Sequence, residues 1–380
     1  MRIAGDWVNH IGTQALCRVL EDAGHRALFV GGCVRNALIG VPVSDIDIAT
    51  DAVPESVSKL AQNAGFRVVP TGIDHGTVTV IAEDVVHEVT TFRRDLETDG
   101  RHAVVAFSDR VEEDAARRDF TMNALYADRM GAVVDPLGGL PDLLARRVRF
   151  VGDPQARIAE DYLRILRFFR FFAHYGDPEG GIDAEGLAAC AANLAGIETL
   201  SRERVGSEMR KLLSAVDPAP AAASMAAAGV LSVVLPGADA RALAPLIHLE
   251  KARAPRWLRR LATLGGQNVG DRLRLSRREM ADLGRIRDEI GGMQSASALG
   301  FLLGDTLAAD TVLARAAVME QPLPRDWESE VARGAAAVFP LRAVDLIDQV
   351  QGPELGAALD AAQKRWLASD LMLTRTQLLG

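Results

Sequence analysis

The sequence predicts an α+β fold: a head built on a small mixed sheet, followed by an all-helical C-terminal part. Three observations lead there. The first ~150 residues alternate short β-prone runs with helical segments. Beyond Val151, Ala and Leu dominate, and both favour helix. The 380 residues are 48% hydrophobic and 25% charged, enough to bury a large core over two or three domains and too apolar for a disordered chain.

Residues 27–30 form a short apolar strand, closed by Gly31-Gly32 and a helix from about Cys33 to Ile39. Residues 45–50 alternate polar and apolar side chains, as a strand does. Pro54 opens a helix that ends near Gly65. Residues 77–82 and 85–92 are β-rich, with Glu83-Asp84 between them as a hairpin turn. Residues 93–108 are polar, contain Asp99-Gly100 and lack an apolar period, so they read as a mobile loop. Residues 156–175 read as one long helix, aromatic on one face and basic on the other. Ala-rich helices follow, broken at Gly/Pro sites such as Pro236-Gly237 and Gly265-Gly266, with no fixed repeat.

A formal net charge of −8 argues against a nucleic-acid coat over the whole surface and leaves a local basic patch open. Residues 251–287 are such a patch: eleven basic and three acidic side chains, net +8, fit either an RNA phosphate footprint or solvated helix faces. Trp257 and Trp327 read as core rather than base-stacking platforms. Cys17, Cys33 and Cys190 are widely spaced and odd in number, which implies neither a disulfide framework nor a zinc cluster and points to a reducing, cytoplasmic setting. The first ten residues lack the apolar core of a signal peptide. Residues 218–238 are uncharged and long enough to span a membrane, but three prolines and many Ala, Ser and Gly make them a buried helix with turns.

The chemistry-bearing signal is Phe29-Val-Gly-Gly-Cys-Val-Arg-Asn36 followed by Asp45-Ile-Asp47. Strand, glycine pair, helix is a phosphate-binding arrangement. Gly31 and Gly32 allow close backbone approach to an anion, and Arg35 adds a charge-assisted bond. Asp45 and Asp47 sit at i and i+2 of a strand and project together. Two aligned carboxylates repel each other unless a cation lies between them, and they are hard oxygen ligands suited to Mg²⁺. Glu88, in the β-run 85–92, is a third acid that an adjacent strand can bring beside the pair; the alternative is a surface glutamate on an edge strand.

Two further clusters follow. Arg117, Arg118, Asp119 and Asn123 are dense in charge; together they suit a triphosphate and a ribose, or else cap the helix near Thr121 as an ion-pair network. Asp161, Arg164, Arg167 and Arg170 recur at i, i+3, i+6 and i+9, one slowly drifting stripe opposite Ile165, Leu166, Phe168 and Phe169.

These clusters, in this order, resemble the class II tRNA nucleotidyltransferases (CCA-adding enzymes) and the related bacterial poly(A) polymerases. The resemblance covers residues ~27 to 211, including a neck-like segment from Ser201 to Glu208, and weakens after Leu212. It implies a polymerase-β-like nucleotidyltransferase head at 1–150, a helical neck for base recognition at 151–215 and a helical body and tail that binds tRNA at 216–380. It implies that Gly32 and Arg35 contact the nucleotide, that Asp45 and Asp47 bind Mg²⁺ as catalytic residues supported by Glu88, and that Arg118, Asp119 and Asn123 hold triphosphate and sugar. Asp161 and Arg164 read the base edge, assisted by Arg167 and Arg170. Residues 93–102 look like the family's flexible loop, which helps switch from C to A addition. One departure stands out: the family usually has Asp after the motif arginine, whereas this chain has Asn36, which removes a salt bridge to Arg35.

The activity so implied is template-independent addition of CCA to a tRNA 3′ end from CTP and ATP, with no stable protein partner and no membrane. Two Mg²⁺ ions held by Asp45 and Asp47 would activate the 3′-hydroxyl and stabilise the leaving pyrophosphate. No covalent intermediate is needed, so Cys33 is a small buried filler. Cytosine and adenine both offer an amino donor beside a ring-nitrogen acceptor, which an Asp–Arg pair matches; uracil and guanine present the reverse order. Alternatives are a poly(A) polymerase, an A-only or C-only adding enzyme, or an inactive RNA-binding module. The nearly neutral last twenty residues favour the tRNA enzyme, and the intact Asp45–Asp47 pair disfavours the inactive module. Past His174 His248 is the sole histidine, so a histidine–aspartate hydrolase domain is not expected.

Overall fold

The computed structural model describes every residue except 71, 73–75, 100, 101, 252, 348, 349, 351 and 380, with backbone alone for 95–99 and 102–105. Its strands are β1 (Leu28–Val30), β2 (Ile46–Thr50), β3 (Arg67–Val69), β4 (Thr77–Ala82), β5 (Val85–Thr91), β6 (Arg93–Asp99), β7 (His102–Phe107), β8 (Tyr126–Ala127) and β9 (Val133–Val134). Seven of them form one mixed sheet in the order β3-β4-β5-β2-β1-β8-β9. Neighbours run antiparallel except β2 and β5, which are parallel. A parallel pair needs a crossover. Here the crossover is the helix Pro54–Asn63 with β3 and β4. The β4–β5 turn follows the sequence reading: Glu83 and Asp84 take φ 47° and 64°, the left-handed pair that matches hairpin twist.

The sheet is covered by elements the sequence reading did not anticipate. The helix Ile11–Asp22 buries Leu16, Cys17 and Leu20. It lies so close to β4 that a Cβ on Gly12 would stand 2.2 Å from the Ala82 carbonyl oxygen. Beside it Thr13 Oγ1 and His87 Nε2 are 2.8 Å apart, both buried. On the other side Leu28, Val30, Ala49, Phe92, Val111, Ala115 and Tyr126 form one core cluster.

Two expectations need correction. The loop read over 93–108 is instead an antiparallel ribbon, β6 with β7, bulged between Asp95 and Glu97. Strand pairing overrides the missing apolar period here; residues 100 and 101 lie outside the described residues. The single helix read over 156–175 is two helices, Pro154–Glu160 and Leu163–Tyr175. Asp161 breaks it with extended backbone (φ −154°, ψ 105°), and its carboxylate accepts the Leu163 N–H at 3.0 Å. Aspartate competes with helix by bonding nearby N–H groups in this way.

The chain divides into two compact units, Met1–Leu200 with Ala228–Val230, and Ser201–Ala227 with Leu231–Gly380. In the first, an aromatic cluster ties the helix Leu163–Tyr175 to the head. Phe120 lies 5.0 Å from Phe150 and 4.9 Å from Phe171, and Phe150 stacks on Phe168 at 5.2 Å. Each such buried phenylalanine contributes on the order of 1.5–3 kcal/mol. Ile165, Leu166, Phe168 and Phe169 are all buried, as the stripe required.

The second unit is helical, and the basic residues of 251–287 divide between exposed side chains and arginines engaged inside the fold. Arg259 and Arg260 are 2% and 1% exposed. Arg259 bonds Glu250 at 2.7 Å and Asp310 at 2.9 Å; Arg260 bonds Glu250 and the Leu213 carbonyl, each at 2.7 Å. Arg287 donates to the carbonyls of Leu261, Gly265 and Gly266, at the end of the helix Trp257–Leu264. Arg285 does the same for Leu302 at 2.7 Å, near the end of the helix Ala296–Leu303. Helix ends leave carbonyls without intrahelical donors, and a guanidinium fork satisfies several at once. Lys251, Arg253, Arg274, Arg277, Arg278 and Arg285 itself are exposed. Trp327 is buried as expected, while Trp257 is half-buried beneath Arg210 at 5.2 Å. No described helix is long and apolar enough to cross a membrane.

Replacing Arg260 by Met strands Glu250 beside one remaining arginine and frees the buried carbonyls of Leu213 and Ala215. Removing one partner of a buried ionic cluster costs about 3–5 kcal/mol. Urea denaturation of Arg260→Met should show a loss of that size, and an unchanged midpoint would contradict the cluster's structural role.

Candidate functional site

The site is built where β1, β2 and β5 run side by side. Parallel pairing puts Asp47 of β2 directly opposite Glu88 of β5. Asp45 sits just before β2, exposed, with Ser44 Oγ donating to its Oδ2 at 2.9 Å. Asp47 is half-buried. Burial, then Glu88, push its carboxyl up to about 6; Asp45 adds to the rise and Arg118 opposes it. Like charges therefore converge on Asp47. Among the described residues no group of three His, Cys, Asp or Glu side chains stands ready to hold a metal. Asp45 and Asp47 are two hard oxygen donors, a set that fits a divalent ion whose shell is completed by water and phosphate oxygens.

Beside the acids, β1 ends in Gly31, whose φ of 68° is the left-handed conformation that glycine tolerates. A Cβ there would meet Arg118 Nη1 at 3.3 Å. Gly32 has no such backbone demand, so the constrained residue of the pair is Gly31. Arg118 is fixed from behind by a triad the sequence reading missed. Its Nη2 donates to Asp114 Oδ2 at 2.8 Å, and the Tyr126 hydroxyl donates to the same oxygen at 2.7 Å. The i, i+4 spacing of Asp114 and Arg118 was the available signal; for Tyr126 there was none. Despite burial the Arg118 guanidinium stays firmly charged, because Asp114 and Tyr126 surround it. Cys33 is 2% exposed with its thiol pushed up to about 11 by burial, consistent with filler.

A second network links the glycine turn to the neck helix. Arg35 donates to Asn123 Oδ1 and, at 2.8 Å, to the Tyr175 hydroxyl. Asn123 Nδ2 donates to Asp119 Oδ1 at 2.9 Å, and Arg167 Nε donates to Asp119 Oδ2 at 2.7 Å. Burial alone would raise the Asp119 carboxyl, but Arg167, Asn123 and the Phe120 N–H outweigh it and hold it below the usual range. Tyr175 carried no sequence signal. Arg170 lies over the Phe171 ring at 4.5 Å. Arg164 donates to Glu160 Oε2 and the Arg157 carbonyl. Asp161 and Arg164 thus flank a helix junction instead of sharing one helical face.

The Poly A polymerase head domain family matches residues 27–149, and the family described as "Probable RNA and SrmB- binding site of polymerase A" matches 181–241. The CCA-adding enzyme of Geobacillus thermodenitrificans is 33% identical over 91% of this chain and 90% of its own length. The chain belongs to the CCA-adding enzyme family. Mouse CCA tRNA nucleotidyltransferase 1, mitochondrial, is 41% identical over 53% of this chain; there the chain spans about half the relative's length, 47%. A solved CCA-adding enzyme of Bacillus stearothermophilus, in complex with CTP, superposes with a TM-score of 0.73 at 29% identity, over 94% of this chain and 93% of that one. Within this family's head match lie Gly31, Gly32, Arg35, Asp45, Asp47, Glu88, Arg118, Asp119 and Asn123. Asp161, Arg164, Arg167 and Arg170 fall between the two matched segments, and aromatic packing brings their helix to the head.

The raised Asp47 carboxyl makes a stability prediction for metal-free protein. Between pH 3.8 and about 6 the folded chain holds a proton that the unfolded chain has released, so stability falls as pH rises through that window. Asp47→Asn imitates the protonated form. In EDTA it should stabilise the protein at pH 8 by up to about 3 kcal/mol and leave it nearly unchanged at pH 4. Thermal melts at the two pH values check this, and an equal gain at both would refute it.

Proposed function

We propose that this chain adds C, C and A to the 3′ end of tRNA from CTP and ATP, without a template and with release of pyrophosphate. One observation carries the reading: Asp47, half-buried and opposite Glu88 in parallel register, lies beside a left-handed glycine turn backed by Arg118. That pairing of acids with a glycine turn and a fixed guanidinium suits nucleotidyl transfer. The names of the relatives support the tRNA substrate, and the CTP complex of the Bacillus stearothermophilus enzyme supports the nucleotide.

In this reading residues 1–150 perform transfer, 151–215 recognise the base and 216–380 bind tRNA. Asp45 and Asp47 would hold Mg²⁺, with Glu88 as the neighbouring support. When bound, the metal neutralises phosphate charge and favours the ionised 3′-hydroxyl. Arg35 and Arg118 face the polyphosphate, and their cationic donors stabilise the charge that develops on the leaving group. Asp119 and Asn123 hold sugar and triphosphate, steadied by Arg167. Gly31 and Gly32 keep the backbone low enough for the anion to approach. The 3′-hydroxyl attacks the α-phosphorus in line, the bond to the β-phosphate oxygen breaks, and pyrophosphate leaves.

Base choice rests on Asp161 and Arg164. The carboxylate accepts from the amino group of cytosine or adenine, and the guanidinium donates to the adjoining ring nitrogen. Arg164 exchanges its Glu160 partner for the base, with Arg167 and Arg170 holding the helix face. A mismatched uracil or guanine leaves buried polar groups unpaired, a cost of several kcal/mol on the order of other such mismatches.

The deciding experiment incubates tRNA lacking its terminal CCA with labelled CTP and ATP, separately and together, and sequences the 3′ ends. Ordered C, C, A is expected. Long A runs from ATP alone would replace this reading with poly(A) synthesis, and no incorporation would leave an RNA-binding module. Asp47→Ala should lower transfer by at least about a thousandfold while nucleotide still binds; an active variant locates the metal elsewhere. Asp161→Asn keeps a side-chain oxygen to cap Leu163 yet removes the charge. It should admit UTP at the expense of discrimination by about tenfold or more, measured as the ratio of kcat/KM for CTP and UTP, and an unchanged ratio would remove Asp161 from base reading.

A further inference from the structure

Arg35 is 6% exposed, and its hydrogen-bond partners are all neutral: Asn36 Oδ1, Asn123 Oδ1 and the Tyr175 hydroxyl. Its guanidinium carbon also lies 3.9 Å from the Tyr175 ring centroid and 5.3 Å from that of Phe171. Among the described residues no carboxylate forms an ion pair with it. Asp119, the carboxylate that bears on it most, is bonded to Arg167. A buried cation without a counter-ion is costly, and burial does lower the proton affinity of this guanidinium. Such a group is a standing demand for an anion.

Asn36 holds both ends of this arrangement. Its Oδ1 accepts from Arg35 Nε at 3.1 Å and from Nη2 at 2.9 Å, a forked grip on one face of the guanidinium. Its Nδ2 donates to the Pro42 carbonyl at 3.0 Å, and its own carbonyl accepts the Val41 N–H at 2.9 Å. Pro42 stands three residues before Asp45. The amide orientation is forced, because guanidinium offers only donors and a carbonyl only an acceptor. An aspartate here could keep the first grip but not the second. It would set a carboxylate against the Pro42 oxygen and give Arg35 an internal counter-ion.

We propose that Asn36 is a positioning residue that clamps the loop carrying Asp45 to Arg35 while leaving the Arg35 charge uncompensated, so that a polyphosphate becomes its counter-ion. The inference rests on the nucleotidyltransferase reading for the identity of that anion. It deepens the reading by joining the polyphosphate end of the site to the loop that presents an acid. Asn36 does not touch the reacting atoms.

The test compares wild type with Asn36→Asp and Asn36→Ala. Calorimetric titration with inorganic tripolyphosphate in EDTA reads the anion site without metal or transfer. Asn36→Asp should bind about tenfold more weakly, the size of one competing charge. Asn36→Ala keeps Arg35 uncompensated and should lose less. Amide exchange over residues 40–45 should quicken in both variants, since both lose the Pro42 bond. In the tRNA assay Asn36→Asp should raise KM for CTP and ATP more than it lowers kcat. Equal tripolyphosphate affinity in wild type and Asn36→Asp, or unchanged exchange over 40–45 in both variants, overturns the proposal. Absence of tripolyphosphate binding by wild type also overturns it. A wild-type protein that binds tripolyphosphate in the expected order of variants, yet transfers neither CTP nor ATP, would sink the functional reading and leave the clamp standing.

Discussion

Parallel pairing of β2 with β5 is the constraint on which the head depends. β2 is the strand that leads directly out of the acid loop, and β5 returns to it only after a helix and two strands. Because the two run the same way, Asp47 and Glu88 come level on neighbouring strands, and their repulsion is part of what raises the Asp47 carboxyl. An antiparallel hairpin would have changed which residues of the two strands come level. The antiparallel neighbours then take up the remaining tasks: β1 delivers the glycine turn, and β8 supplies Tyr126 behind Arg118.

The arginines show how one residue type does different work in the two units. In the first, Arg35, Arg118 and Arg167 lie in networks around the site, each oriented by a hydrogen-bonding partner that fixes its fork. In the second, Arg259 and Arg260 are internal, and Arg285 and Arg287 close helix ends. Short helices expose many terminal carbonyls per residue, so a chain of short helices has a structural use for guanidinium groups that net charge does not reveal. That is why a net charge of +8 overstates the cations that 251–287 turns to solvent: Arg259 and Arg260 are buried, while Lys251, Arg277 and Arg278 are exposed.

The sequence-legible part of the site was the part governed by local geometry. Asp47 lies on the strand the alternation predicts, with Asp45 one residue before its start rather than on it; Gly31 ends a strand in a conformation that favours glycine, and Ile165, Leu166, Phe168 and Phe169 keep a helical stripe. Misreadings arose where two local rules competed. Asp161 sat on the helical period but bonded the Leu163 N–H and broke the helix. The 93–108 stretch lacked an apolar period yet paired with itself as a ribbon. Tyr175, Asp114 and Tyr126 went unread as site residues because their partners lie on other elements or in another turn.

By itself the sequence determined the order of the motifs, the strand that carries the acids, the amphipathic neck and the family to which they belong, since each is a periodicity or a spacing along one backbone. Tertiary structure alone decided that Glu88 stands level with Asp47, that Asn123 and Asp119 chain Arg35 to Arg167, and that Arg259 and Arg260 of the basic segment are internal. The physical reason is range. Backbone period and turn chemistry act over a few residues, whereas a buried charge is satisfied by whatever the fold brings within about 3 Å, however far away it lies in the chain.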